Sequence, residues 1–291
     1  MLNSLSLRLR LIVLSIIPLS VMIIIMLALI VSRWQQVQET AQLETLTRIA
    51  KISGDFIHEL QIERGITSRF LNAQGREYRE ELRTQRTKTD EYFTYYQAAI
   101  QSVRIETFSG LQESIKETNT LLEQWQNTRT KIDALSMSPG ESGQYYGDLI
   151  DELITDIEFT SREATYDANI FRASLSYVTI IKTKERLGRE RALLNGLFIR
   201  DTATKEEFVN ATRIASEQFS LAAIFRTIAT PEQVKRFDAV VRNDLGKRIR
   251  DMRRTIMEKF PNGGFGVNAA EWYDVTTQQI NLAKEYENSL A

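Results

Sequence analysis

Leu60-Gln61-Ile62-Glu63-Arg64-Gly65-Ile66 and Leu187-Gly188-Arg189-Glu190-Arg191-Ala192-Leu193 read as two versions of one segment, 127 residues apart. The same offset carries Phe70-Leu71 onto Leu197-Phe198 and Tyr145-Tyr146 onto Trp272-Tyr273. Both of these last pairs begin a helix just after a Gly-rich break. Distant matches under one offset point to a duplicated unit, the alternative being chance similarity between amphipathic helices. Each unit holds about four helical stretches, and a four-helix bundle is the simplest way to bury their apolar faces. The sequence therefore predicts an all-α chain with two up-and-down four-helix bundles, at 33–163 and 164–291.

The pattern outward from these segments is helical. Apolar residues recur at three- and four-residue intervals, and strand-like alternation is rare. The expected stretches are Trp34–Leu71, Arg79–Val103, Phe108–Leu135, Gln144–Phe171, Ser174–Phe198, Glu206–Ile228, Glu232–Phe260 and Ala269–Leu290. A break at Ser136–Gly143 separates the third from the fourth. Thr230-Pro231-Glu232-Gln233 has a cap residue, proline at the first helical position and Gln at the third. Thr204–Glu207 and Asn268–Glu271 repeat that logic. Pro139 marks another helix start and Pro261 lies in a loop, so each proline after residue 33 sits at a boundary. Sustained a/d heptads are missing, which argues against a coiled coil.

Composition narrows the chemistry. The 291 residues include no cysteine and one histidine, and 37 Lys+Arg stand against 38 Asp+Glu. There is no thiolate zinc site, iron–sulfur cluster, disulfide or thiol nucleophile, and no histidine-based metal cluster. Near-neutral charge argues against a nucleic-acid binder. No phosphate-binding glycine loop, nucleophile elbow, EF-hand spacing or loop-borne carboxylate pair appears. No enzyme, cofactor or metal is expected.

Leu11–Val31 is an uncharged apolar run of bilayer-spanning length, interrupted only by Ser15, Pro18 and Ser20. It predicts an uncleaved transmembrane helix over 11–32 behind a cytoplasmic tail, 1–10. Arg8 and Arg10 before the run and Arg33 after it favour that orientation weakly. The remainder would then be periplasmic, on a bacterial inner membrane, with the chain ending where a second span could follow.

Two arginines carry the functional reading. Ile57, Leu60, Gln61, Arg64, Ser68 and Leu71 share one helix face, so Arg64 interrupts an apolar stripe. Leu187, Gly188, Arg191, Leu194, Asn195 and Phe198 share the corresponding face around Arg191. Each arginine is followed by a small residue, Gly65 or Ala192, and has a polar residue one turn on, Ser68 or Asn195. Gly65 and Gly188 lie mid-helix, where glycine costs up to about 1 kcal/mol and implies close approach by a helix or ligand. A guanidinium in such a stripe needs a partner. Structural pairing with Glu63, Glu59 or a carboxylate of another helix is one outcome. The other is that pseudo-twofold packing brings the two guanidiniums face to face around a small planar anion, which their planar forks suit.

LQIERGITSRFL and LGRERALLNGLF resemble the two arginine motifs of the nitrate- and nitrite-sensing (NIT) domain, a domain of bacterial chemoreceptors, sensor kinases, cyclases and transcription antiterminators. The resemblance runs from about Trp34 to the end. It implies two up-and-down four-helix bundles and nitrate or nitrite held by Arg64 and Arg191; on the helix faces read above, Gln61, Ser68 and Asn195 are the expected further polar contacts, beside Gly65 and Gly188. Together with the apolar run it implies a transmembrane receptor, a chemotaxis receptor first among the types, working as a homodimer with a signalling module beyond residue 291. The alternatives are a receptor for another small anion or carboxylate, and a membrane-tethered scaffold for a protein partner. The latter predicts a carboxylate on each guanidinium. His58 reads as a surface or packed residue, and the basic run Lys247–Arg254 as a solvated face paired with carboxylates.

Overall fold

The computed structural model describes residues 7–102, 109–163 and 168–290. These are all-α: α1 Leu7–Asn72, α2 Arg79–Gln101, α3 Ser109–Asp133, α4 Pro139–Glu163, α5 Ala168–Arg200, α6 Lys205–Ile228, α7 Pro231–Val241, α8 Asp244–Lys259 and α9 Ala269–Asn288. The predicted ends at Val103 and Phe108 lie outside the described residues. So do residues 164–167, beside the expected boundary between bundles at 163/164 and inside the expected helix Gln144–Phe171.

Helix starts follow local chemistry. At Thr204 and Thr230 the side chain accepts from the N3 backbone N–H while the N3 side chain accepts from the cap N–H. Ser138 and Glu141 form the same reciprocal pair, so α4 begins at Pro139 and the break before it is shorter than expected. At Asn268 only the cap side chain takes part, accepting from Glu271 N. Two boundaries differ from the sequence reading. α5 starts at Ala168, because nothing between Phe171 and Ser174 breaks a helix. The stretch Glu232–Phe260 is split into α7 and α8, because the Asn243 side chain caps a new start by accepting from Gly246 N at 2.7 Å.

Side-chain packing separates two main cores. One joins Phe56, Ile57, Leu60 and Phe70 of α1 to Leu82, Tyr96, Trp125, Ile132 and the α4 run Tyr146–Ile157, with Tyr177, Val178 and Ile181 from the start of α5. The other joins Leu194, Leu197 and Phe198 of α5 to Ala211, Ile249, Ile256, Phe265, Trp272 and Val275. A smaller cluster of Ile180, Phe225, Phe237 and Tyr286 adjoins α5, α6, α7 and α9. Moved by the 127-residue offset, α2 lands on α6 and α4 lands on α9, each within a few residues at both ends.

By internal contacts the chain divides at Leu46/Thr47. In the first unit, Ile16, Leu19 and the run Val21–Val31 are apolar and exposed. Even so, no helix among the described residues is long and apolar enough to cross a membrane. The expected span at 11–32 is not sustained, nor is the topology built on it, a cytoplasmic tail at 1–10 and a periplasmic remainder. Residues 1–6 of that tail lie outside the described residues.

Candidate functional site

Within the second unit, α1 and α5 cross at their arginine motifs. A Cβ on Gly188 would come within 3.3 Å of Arg64 Nη2, and a Cβ on Gly65 within 3.3 Å of Arg191 Nη2. Each guanidinium thus packs on the glycine of the other motif, which is why both positions accept the cost of a mid-helix glycine. The structure brings Arg64, Arg191, Gly65 and Gly188 together, as the motifs imply.

The two arginines differ in their partners. Arg64 makes two hydrogen bonds to the fully buried Glu185 carboxylate, Nη1–Oε1 at 2.7 Å and Nη2–Oε2 at 3.0 Å. Gln61 Nε2 donates to the same carboxylate at 2.8 Å, and Arg189 Nε at 2.5 Å. Burial alone would raise the Glu185 pKa, but the Arg64 and Arg189 guanidiniums outweigh it and hold the carboxyl at about 2. Arg64 therefore has a structural counter-ion on another helix.

Arg191 makes no ion pair among the described residues. Its Nη1 donates to Thr277 Oγ1 at 2.7 Å, and its guanidinium lies over the Tyr273 ring, 4.6 Å from the centroid. The Tyr273 ring also has Arg69 near it, at 5.7 Å. Burial lowers the Arg191 pKa from its usual value. Tyr273 opposes that shift, and the Arg64 and Arg69 guanidiniums add to it. Arg191 is a poorly compensated cation with two like charges beside it, and that is the electrostatic condition for taking an anion.

The remaining expected residues divide. Gln61 serves Glu185, not the space between the arginines. The Ser68 hydroxyl meets Asn72 Nδ2 of its own helix, at 3.5 Å, and neither guanidinium. Asn195 lies one turn beyond Arg191, half-buried, and bonds to neither guanidinium. The glutamates of the two motifs point away into the bundles. Glu63 is gripped by Arg129 of α3 at 2.8 and 2.7 Å and by the Tyr146 hydroxyl at 2.6 Å. Glu190 is gripped by Arg253 of α8, both contacts at 2.5 Å, and receives Gln218 Nε2 at 2.9 Å. Both carboxylates are fully buried and work as struts.

Sequence reasoning missed Glu185, Arg189, Tyr273, Thr277 and Arg69. One signal was present. At the 127-residue offset Glu185 falls on His58, so the duplicated unit has a carboxylate at that position in one copy only. His58 is half-buried with its Nδ1 buried and unpartnered. Burial, reinforced by Lys184, Lys284 and Lys88, pushes its pKa down to about 2, so it is neutral. Among the described residues no group of histidine and carboxylate side chains could hold a metal ion.

The chain matches the family model for nitrate and nitrite sensing over residues 55–291. It is 25% identical over 256 residues to the nitrate regulatory protein of Klebsiella oxytoca, covering 88% of this chain and 63% of that protein. The chain thus spans under two thirds of that relative's length. The solved structure of the NasR transcription antiterminator superposes with a TM-score of 0.80 at 24% identity, covering 89% of this chain and 70% of that one. These relatives overturn the reading as a membrane chemoreceptor on a bacterial inner membrane with a periplasmic sensor. The partner set built on it, a membrane and no nucleic acid, is overturned with it by the same relatives, a nitrate regulatory protein and a transcription antiterminator. Near-neutral net charge was a weak ground for that exclusion, since binding depends on where charge lies and not on its sum. The arginine motifs and the matched span together show that the chain belongs to the nitrate and nitrite sensing (NIT) family.

Proposed function

We propose that the chain is the anion-sensing part of a nitrate-responsive regulator, and that nitrate or nitrite binds between Arg191 and Arg64, across the contact between bundles 33–163 and 164–291. The observation that carries this reading is the uncompensated charge of Arg191 beside the paired Arg64. A planar oxyanion can accept from Arg191 on one edge and from Arg64 on the other, provided Arg64 yields part of its grip on Glu185. Gly65 and Gly188 leave the room on either side. Binding then replaces repulsion between two guanidiniums by attraction to a shared anion. It favours whichever α1–α5 arrangement holds them closest, and so shifts a conformational equilibrium. The relatives' names support an output in transcription, and this chain's share of it is the ligand-dependent shift.

Calorimetric titration of the full chain with nitrate tests the proposal. One saturable site is expected, abolished in the double variant Arg64→Ala, Arg191→Ala. Binding that survives the double substitution overturns it.

A further inference from the structure

The second bundle contains a cavity that the arginine site does not use. It encloses about 460 Å³ among α5, α6, α7, α8 and α9, without α1, and its apolar wall includes Ile180, Leu187, Ala222, Phe237 and Ile249. That volume lies in the range of small-molecule sites. The duplication bears on it at one position. In the first bundle Phe56 packs against Phe93, Tyr96 and Trp125, with ring centroids 5.6, 5.5 and 5.8 Å away. At the 127-residue offset those four rings become Thr183, Ser220, Ala223 and Met252. Of these only Thr183 lies on the cavity wall; Ser220 and Ala223 are exposed, and Met252 packs against the second core.

The polar lining is one-sided. Lys184, Arg226, Arg242, Arg250 and Arg253 border the cavity, and no aspartate or glutamate does. Arg253 and Lys184 are each tied to a carboxylate behind the wall, Glu190 and Glu287. Arg226 and Arg242 share Asp238. Arg250 makes no ion pair among the described residues, its Nη1 donating to the Val241 carbonyl at 3.0 Å. Within the Lys247–Arg254 run, Arg250 and Arg253 both line the cavity and not a solvated face, and of the two only Arg250 lacks an ion pair among the described residues. Gln279, 6% exposed, also lines the cavity. Its Nε2 donates to the Val240 carbonyl while its Oε1 is buried and unpartnered.

We propose that this cavity is a second ligand site, for an amphipathic organic carboxylate whose apolar body fills the space beside Thr183 and whose carboxylate pairs with Arg250. An apolar wall and an unpaired guanidinium are the features of a site built to orient one such ligand.

Isothermal titration of the full chain with octanoate, 3-phenylpropionate and octan-1-ol tests it, with circular dichroism as the fold control. One saturable site for at least one of the carboxylates is expected. Arg250→Gln should weaken carboxylate binding about tenfold and leave octan-1-ol unchanged. Thr183→Phe, which restores the ring present in the first bundle, should weaken both classes at least about tenfold. Should Thr183→Phe fail to fold, the Arg250→Gln comparison decides alone. No saturable binding of either carboxylate, or carboxylate affinity within about twofold of wild type in Arg250→Gln, overturns the proposal.

Discussion

The two arginines are equivalent in the duplicated sequence but should respond unequally to removal without ligand. Arg64→Gln strands Glu185, which is fully buried. Breaking a buried ion pair from one side costs about 3–5 kcal/mol. Glu185 keeps Arg189 and Gln61, so a loss at or just below the bottom of that range, about 2–3 kcal/mol, is expected. Arg191→Gln removes one hydrogen bond to Thr277, worth about 1 kcal/mol, and a cation–π contact with Tyr273 worth about 0.5–1 kcal/mol. Against this it removes a buried charge flanked by Arg64 and Arg69. The net should lie within about 1 kcal/mol of zero. Urea denaturation of the three proteins without nitrate measures the difference. With nitrate at a hundred times its Kd, wild type should gain about 2.7 kcal/mol and both variants much less. If Arg191→Gln costs as much as Arg64→Gln in the absence of nitrate, Arg191 has a structural counter-charge and the electrostatic basis of the site is wrong.

Other consequences follow from the same contacts. Gly65→Leu should lower nitrate affinity at least about tenfold with little loss of stability, because even its Cβ comes within 3.3 Å of Arg191 Nη2; calorimetry paired with thermal melting separates the two effects. Glu63→Gln should cost about 3–5 kcal/mol in denaturant unfolding yet leave nitrate affinity of the folded fraction unchanged, since Glu63 braces α1 against Arg129 and Tyr146 and does not reach the anion. Asp156 should make the first bundle less stable as pH rises. Burial pushes its pKa up to about 7, against the hydrogen bonds from Ser114, Thr118 and Tyr96. The folded chain therefore holds a proton that the unfolded chain releases from about pH 4 upward, and stability from this group is lost as pH climbs towards 7. Relative to wild type, Asp156→Asn should gain about 2–3 kcal/mol between pH 5 and pH 8 in denaturation midpoints, and no gain would refute the buried, protonated carboxyl.

Much of the architecture was legible because its determinants are local or periodic. Thr204, Thr230 and Pro139 mark helix starts by satisfying backbone donors within three residues, and the 127-residue offset reflects packing repeated helix by helix. Arg64 and Arg191 stood out as charges in apolar stripes. What surrounds them was not legible, because it comes from elements far along the chain. Thr277 and Tyr273 arrive from α9. Glu63 and Glu190 looked like partners for their neighbouring arginines. On a helix, however, adjacent residues point about 100° apart, so both turn into their own bundles. The apolar run near the N-terminus was read from its length and lack of charge, and neither specifies what an apolar helix contacts.

The departures from symmetry matter more than the symmetry itself. Duplication places equivalent arginines opposite each other, and a fully symmetric arrangement would give both or neither a carboxylate. With two carboxylates the site would be neutral and closed to anions. With none, two facing buried cations would cost several kcal/mol before any ligand arrived. Glu185 on one helix and neutral His58 at its equivalent on the other leave one charge balanced and one open. The empty state is then stable enough to fold and still short of one negative charge, which a single small anion supplies.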